Sequence, residues 1–227
     1  MIATWPAPLP DGKTSEELLL SFDFDRDKRV LILPAWFDEA NKMRRFTVQT
    51  MRALDAAGID SFLPDLPGCN ESLIGLESQT IASWQSAAKS AATRFGATHI
   101  LSLRAGAIIA PADLPGWQYA PQSGAKTLRA MLRARMIAAR EAGIEESTES
   151  LLASGRADGL TLAGWRLGAA FVSGLETAQP SSSKLHSVIA AKDLGGPGLW
   201  LRAEASEDQS QVDQLTQVIV ISTGTRS

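Results

Sequence analysis

The chain has 227 residues, with 22 Lys and Arg against 25 Asp and Glu and a formal charge of −3. That length predicts one α/β domain over 1–227, with about 141–177 as a small cap or an irregular excursion. Hydrophobic side chains make up 44% of it, which excludes global disorder, and the slightly acidic balance argues against nucleic-acid binding, which needs a basic surface.

The N-terminus, MIATWPAPLPDGKTSEE, has no basic region followed by an apolar run, so no signal peptide is expected. Leu18 to Phe24 alternates toward a strand, and Asp25 to Lys28 is a polar turn. Arg29 to Pro34 (RVLILP) is an apolar run suited to a central strand buried on both faces. A helix is predicted over Asp38 to Gly58: acidic residues open it, Phe46, Met51 and Leu54 recur along it, and Gly58 stops it. Ile59 to Leu63 is a short strand ended by Pro64 and by the Pro67-Gly68 pair. Gln79 to Phe95 reads as a helix closed by Gly96, and Thr98 to Leu103 as the next strand. Lys126 to Glu141 is a strong helix. Beyond it the spacing predicts a strand over Gly159 to Trp165, a helix over Leu167 to Thr177 and a loop over Gln179 to Lys184. Two late strands, Leu185 to Ala190 and Leu199 to Ala203, and a last helix over Gln211 to Val218 complete the reading. Strands alternating with helices indicate a mostly parallel sheet flanked by helices.

No stretch approaches about 18 uninterrupted apolar residues, so no transmembrane segment is expected. Cys69 is the single cysteine, which excludes an intramolecular disulfide and fits a reducing compartment, so the expected location is cytoplasmic. No Walker loop, G-x-G-x-x-G, CxxC or HExxH occurs, and neither a cofactor nor a metal is expected.

The segment HILSLRAGAIIA (His99 to Ala110) has the form of a nucleophile elbow: an apolar strand, a tight turn at Arg104, then small residues opening a helix. The usual motif is G-x-S-x-G, and here the five positions are Ser102, Leu103, Arg104, Ala105 and Gly106. Arginine stays protonated at physiological pH and cannot attack as a deprotonated nucleophile.

Together with RVLILPAWFDEANKMRR (Arg29 to Arg45) and FLPDLPGCNES (Phe62 to Ser72), SLRAGA at Ser102 to Ala107 resembles the exosortase A system-associated hydrolases of the α/β-hydrolase superfamily. The likeness is to a branch with arginine at the elbow, and it extends to Leu128–Arg135 and to LWLRAE at Leu199 to Glu204. The resemblance implies an α/β-hydrolase-like fold and a bacterial setting in exopolysaccharide production or exosortase-linked protein sorting.

A serine hydrolase needs an acid and a histidine after its serine in the chain, in this architecture. The only histidines are His99, which precedes the elbow, and His186, which falls inside a predicted strand; both read as structural. The expectation is therefore a degenerate triad and a non-catalytic protein that binds a ligand or a partner. The alternative is a hydrolase or acyltransferase acting on an ester or acyl substrate through Ser102, Cys69 or Ser72 with a carboxylate base.

Two readings of Arg104 stand side by side. It anchors an anion at the sheet's carboxyl edge, or it forms a structural ion pair with Asp65 or Glu39. Asn41, Lys42, Arg44 and Arg45 read either as a basic rim on the same cleft or as a solvated helix face satisfied by Asp38 and Glu39. Asp65 is placed at the cleft as a cap or pairing group, and Trp36 as a wall residue that suggests a sugar or lipid ligand. A small anionic, acyl or saccharide ligand, or a protein partner, fits this set.

Overall fold

The structure, a computed structural model, is described for residues 1–224, so the last three residues of the predicted domain lie outside the described residues. Its frame is a seven-stranded sheet of β1 (Ile2–Pro8), β2 (Thr14–Phe22), β3 (Arg29–Leu33), β4 (Asp60–Pro64), β5 (His99–Leu103), β6 (Gly116–Tyr119) and β9 (His186–Ile189). The strand order is β1-β2-β4-β3-β5-β6-β9. β1 and β2 form an antiparallel hairpin and β2 meets β4 antiparallel; every pairing from β4 to β9 is parallel.

The apolar run at Arg29–Leu33 lies in the middle of the sheet because alternate residues serve opposite layers. Val30 and Ile32 join a core with Met43, Phe46, Met51 and Leu54 of α1 (Asp38–Ala56) and Val212, Leu215 and Ile219 of α6 (Gln209–Ser222). Leu31 and Leu33 face the other core, with Trp84, Ala87, Ala88 and Ala91 of α2 (Ile81–Arg94) and Phe171, Val172 and Leu175 of α5 (Ala169–Thr177). Small alanines on α2 let that helix sit close to the sheet, and Thr80 caps it by accepting from Ser83 N.

α3 (Gly124–Glu141) matches the predicted helix, and residues 141–177 continue with α4 (Thr148–Asp158), a hairpin of β7 (Leu160–Leu162) and β8 (Trp165–Leu167), and α5. Three expectations are corrected here, and three elements are added. The single strand over Gly159–Trp165 is the first half of that hairpin, because Ala163 and Gly164 both take positive φ and reverse the chain. Leu199–Ala203 is not a strand but a 3-10 turn at Leu199–Leu201: Leu199 is fully buried, Leu201 is exposed, and Trp200 stacks edge-on with Tyr119. The elbow opens a six-residue 3-10 segment, Arg104–Ile109, rather than an α-helix. β1, β6 and α4 were not expected at all, since two prolines punctuate β1 and β6 is only four residues long.

Among the described residues, no helix is long and apolar enough to cross a membrane.

Candidate functional site

β5 ends at Leu103, and Arg104 turns the chain with φ 54°, a left-handed conformation that a β-carbon-bearing residue holds only when its surroundings fix it. Gly106 allows the turn to nest on the end of β3, since a β-carbon there would lie 2.5 Å from the Leu33 and Pro34 carbonyl oxygens. The elbow geometry expected from the sequence is present, with a guanidinium at its tip.

That guanidinium is buried and heavily partnered. Arg104 Nε donates to Glu39 Oε2 at 3.0 Å and Nη2 to Glu39 Oε1 at 3.1 Å, a bidentate ion pair. Nη1 donates to the Ala120 carbonyl at 2.7 Å and Nη2 also donates to Gln122 Oε1. The plane lies over the Trp200 ring, with Cζ 3.9 Å from its centroid. Of the two expected ion-pair partners, Glu39 takes the position and Asp65 does not.

Above this pair opens a cleft of about 650 Å³. Its apolar wall comprises Trp36, Phe37, Met131, Trp165 and Trp200, with Ala130, Ala134 and Ala163 between them. Its charged lining residues are Arg104, Lys42, Asp38 and Glu39, and they cancel in pairs: Arg104 with Glu39, and Lys42 with Asp38 at 2.8 Å. Asn41 adds an uncharged polar group. A cleft that is apolar, aromatic and internally neutral favours an uncharged body over a free anion, because an anion would have to compete with Glu39 for the guanidinium.

The other sequence-named residues divide between places. Trp36 and Asn41 line both this cleft and a chamber of about 40 Å³ behind it, which Arg44, Asp65 and Cys69 also line. Arg45 is exposed and pairs with Glu207, and it lines neither. Ser102 is fully buried, its Oγ donating to the Trp117 carbonyl at 3.2 Å. Ser72 Oγ donates to Glu17 Oε1 at 2.9 Å and accepts from Gly68 N at 2.9 Å. Burial, followed by the Asp65 and Glu17 carboxylates, pushes the Cys69 thiol well above its ordinary range, which opposes thiolate chemistry.

Neither histidine lines the cleft. His99 opens β5 at the sheet's amino edge and stacks on Trp117 with centroids 5.4 Å apart. His186 opens β9, accepting from Gln118 Nε2 at 3.0 Å and donating to the Leu114 carbonyl at 3.1 Å. Among the described residues, no group of three or more His, Cys, Asp or Glu could hold a metal.

Sequence reading did not select Phe37, Gln122, Met131, Trp165 and Trp200 as site residues. The two-residue Ala163-Gly164 turn was the available signal for Trp165; the others are brought in by packing and had none.

No family model matches the chain, and no curated protein matches it either. Solved structures do. Alpha/beta hydrolase domain-containing protein 10 from mouse aligns over 100% of both chains at 11% identity, with a TM-score of 0.59. A thermophilic esterase from Thermogutta terrifontis covers 99% of this chain and 98% of its own at 13% identity and TM-score 0.55. A carboxylesterase structure from Nitrososphaera gargenis covers 98% and 97% at 11% identity, also with TM-score 0.55. The fold is that of the α/β-hydrolases. Within this α/β-hydrolase fold the cleft sits at the carboxyl edge of the parallel strands, where open α/β sheets bind their ligands.

Proposed function

We propose that this protein is a non-catalytic member of the α/β-hydrolase fold that binds an uncharged, amphipathic small molecule, of acyl or saccharide type, in the 650 Å³ cleft. One observation carries the reading: the elbow side chain is a guanidinium locked by Glu39, Gln122 and the Ala120 carbonyl. It can neither attack a carbonyl nor readily release its donors to an incoming anion. The fallback nucleophiles add support. Ser102 and Ser72 are engaged in internal hydrogen bonds, and the Cys69 thiol is held protonated. The resemblance of RVLILPAWFDEANKMRR, FLPDLPGCNES and SLRAGA suggests a role in exopolysaccharide production or exosortase-linked sorting in a bacterial cytoplasm.

The test is turnover of a panel of activated acyl esters, with covalent labelling by a serine-reactive fluorophosphonate. No turnover and no label are expected. Turnover above background with one labelled residue, lost when Ser102, Ser72 or Cys69 is replaced, would overturn the reading in favour of an unorthodox hydrolase or acyltransferase.

A further inference from the structure

Helix α3 carries five cations, Lys126, Arg129, Arg133, Arg135 and Arg140, against one acid, Glu141, in a chain whose formal charge is −3. Arg135 turns aside to Glu146 and to the Thr161 carbonyl. The other four are exposed, and none forms an ion pair with a carboxylate among the described residues. Lys42 and Arg45 of α1 and Arg156 of α4 each hold one. At about 100° per residue, the four unpaired cations fall within an arc of about 60° on one side of α3. Like charges spaced three and four residues apart, as at Lys126, Arg129 and Arg133, repel one another, and an anionic surface relieves that repulsion.

This arc borders the mouth of the cleft. Ala130 and Ala134, next in sequence to Arg129 and Arg133, line the cleft and are exposed, as are Ala163 and Leu201, so these residues mark its rim. Leu201 is 73% exposed. On the same helical wheel Ile137, 54% exposed, falls between the rim alanines and the cations. An apolar mouth edged by unneutralised cations matches an anionic bilayer, whose headgroups meet the arc while its acyl region receives the exposed apolar side chains. An acidic polypeptide satisfies the cations alone. We propose that α3 docks the protein on an anionic lipid bilayer with the cleft mouth turned toward it. The docking stands on α3 and the rim. Its consequence rests on the reading that the cleft binds a small molecule, and narrows that molecule to an uncharged acyl lipid taken from the membrane.

The test is co-sedimentation of the full chain with vesicles of phosphatidylcholine alone or with about 30% phosphatidylglycerol, both containing monooleoylglycerol. At about 50 mM salt, binding to the anionic vesicles should exceed binding to the neutral ones at least about tenfold, and about 500 mM salt should abolish the difference. Arg129→Gln and Arg133→Gln should each weaken it about fivefold. Both residues are exposed, so the variants keep the fold. The pair Lys89→Gln and Lys184→Gln, exposed cations that do not line the cleft, removes the same charge and should bind as the parent does. Leu201→Asp should weaken binding at least about threefold, because it sets a carboxylate on the face turned to the bilayer. No preference for anionic vesicles, a preference that survives the two arginine changes or is lost equally in the lysine pair, or an unaffected Leu201→Asp overturns the docking. Retention on poly-L-glutamate without vesicle binding also overturns it, and assigns the arc to an acidic polypeptide. Protein released from the vesicles by salt should carry monooleoylglycerol, detected by mass spectrometry. Docking without carried lipid overturns the acyl-lipid assignment and leaves the docking standing.

Discussion

Strand β4 opens on one buried aspartate, Asp60, and is followed by another, Asp65, and the fold treats them oppositely. Asp60, fully buried at the amino edge, accepts from the Phe24 and Arg26 backbone amides at 3.1 and 3.0 Å and from Arg29 Nη1 at 3.1 Å, with Arg26 3.4 Å away. Asp65, at the carboxyl edge, has one side-chain donor and one oxygen with none among the described residues. Identical chemistry five residues apart thus forms a finished structural network at one end and a half-satisfied carboxylate at the other. Arg104 belongs with Asp60 in this contrast: it lies at the cleft but is fully engaged.

The comparison breaks most sharply on Asp60. Asp60→Ala strands two backbone donors and takes a buried acceptor from Arg26 and Arg29, which keep Asp55 and Asp23, and should lower stability by about 3–5 kcal/mol, read from urea unfolding. Arg104→Ala should follow at about 2–4 kcal/mol, since it leaves Glu39 uncompensated and removes the plane under which Trp200 packs. A loss below about 0.5 kcal/mol would return Arg104 to the anion-anchor reading.

Asp65→Asn should behave unlike either. Asp65 titrates above its ordinary value of 3.8, with burial the largest cause. The native state therefore holds the Asp65 proton more tightly than the unfolded chain does, and its contribution to stability declines as pH rises above 3.8. At neutral pH the charge opposes folding, so Asp65→Asn should match or exceed the parent by up to about 1 kcal/mol. A large loss would make Asp65 a structural residue like Asp60.

The smallest effect concerns His99, held below its ordinary value of 6.5 by burial first and then by Lys28. Its native form takes up a proton less readily than the unfolded chain. Its contribution is complete above 6.5 and falls as pH drops below it, down to the native value. The unfolding midpoint measured on either side of that range should fall toward the acid side, and the fall should shrink in His99→Gln.

Much of the frame was legible in the residues. RVLIL is apolar at consecutive positions because a central parallel strand is covered on both faces, and that pattern has no other comfortable home. The α1 boundaries followed from Asp38 and Gly58, and the elbow from a strand breaking into Arg-Ala-Gly. β1 and β6 escaped because prolines and shortness erase the period of two, and the 3-10 turn at Leu199–Leu201 mimicked a strand because three apolar residues carry no period. Within the site, Arg104, Trp36, Asn41, Arg44 and Asp65 were named from their positions after strands, whereas Arg45 points away to Glu207.

The sequence by itself determined the α/β layering and the charge at the elbow, because periodicity and side-chain chemistry are local properties. Whether Arg104 met Asp65 or Glu39 was decided only by the tertiary structure. So was the gathering of Trp36, Trp165 and Trp200 around one cleft. Those contacts join residues far apart in the chain, and their geometry depends on how the layers pack.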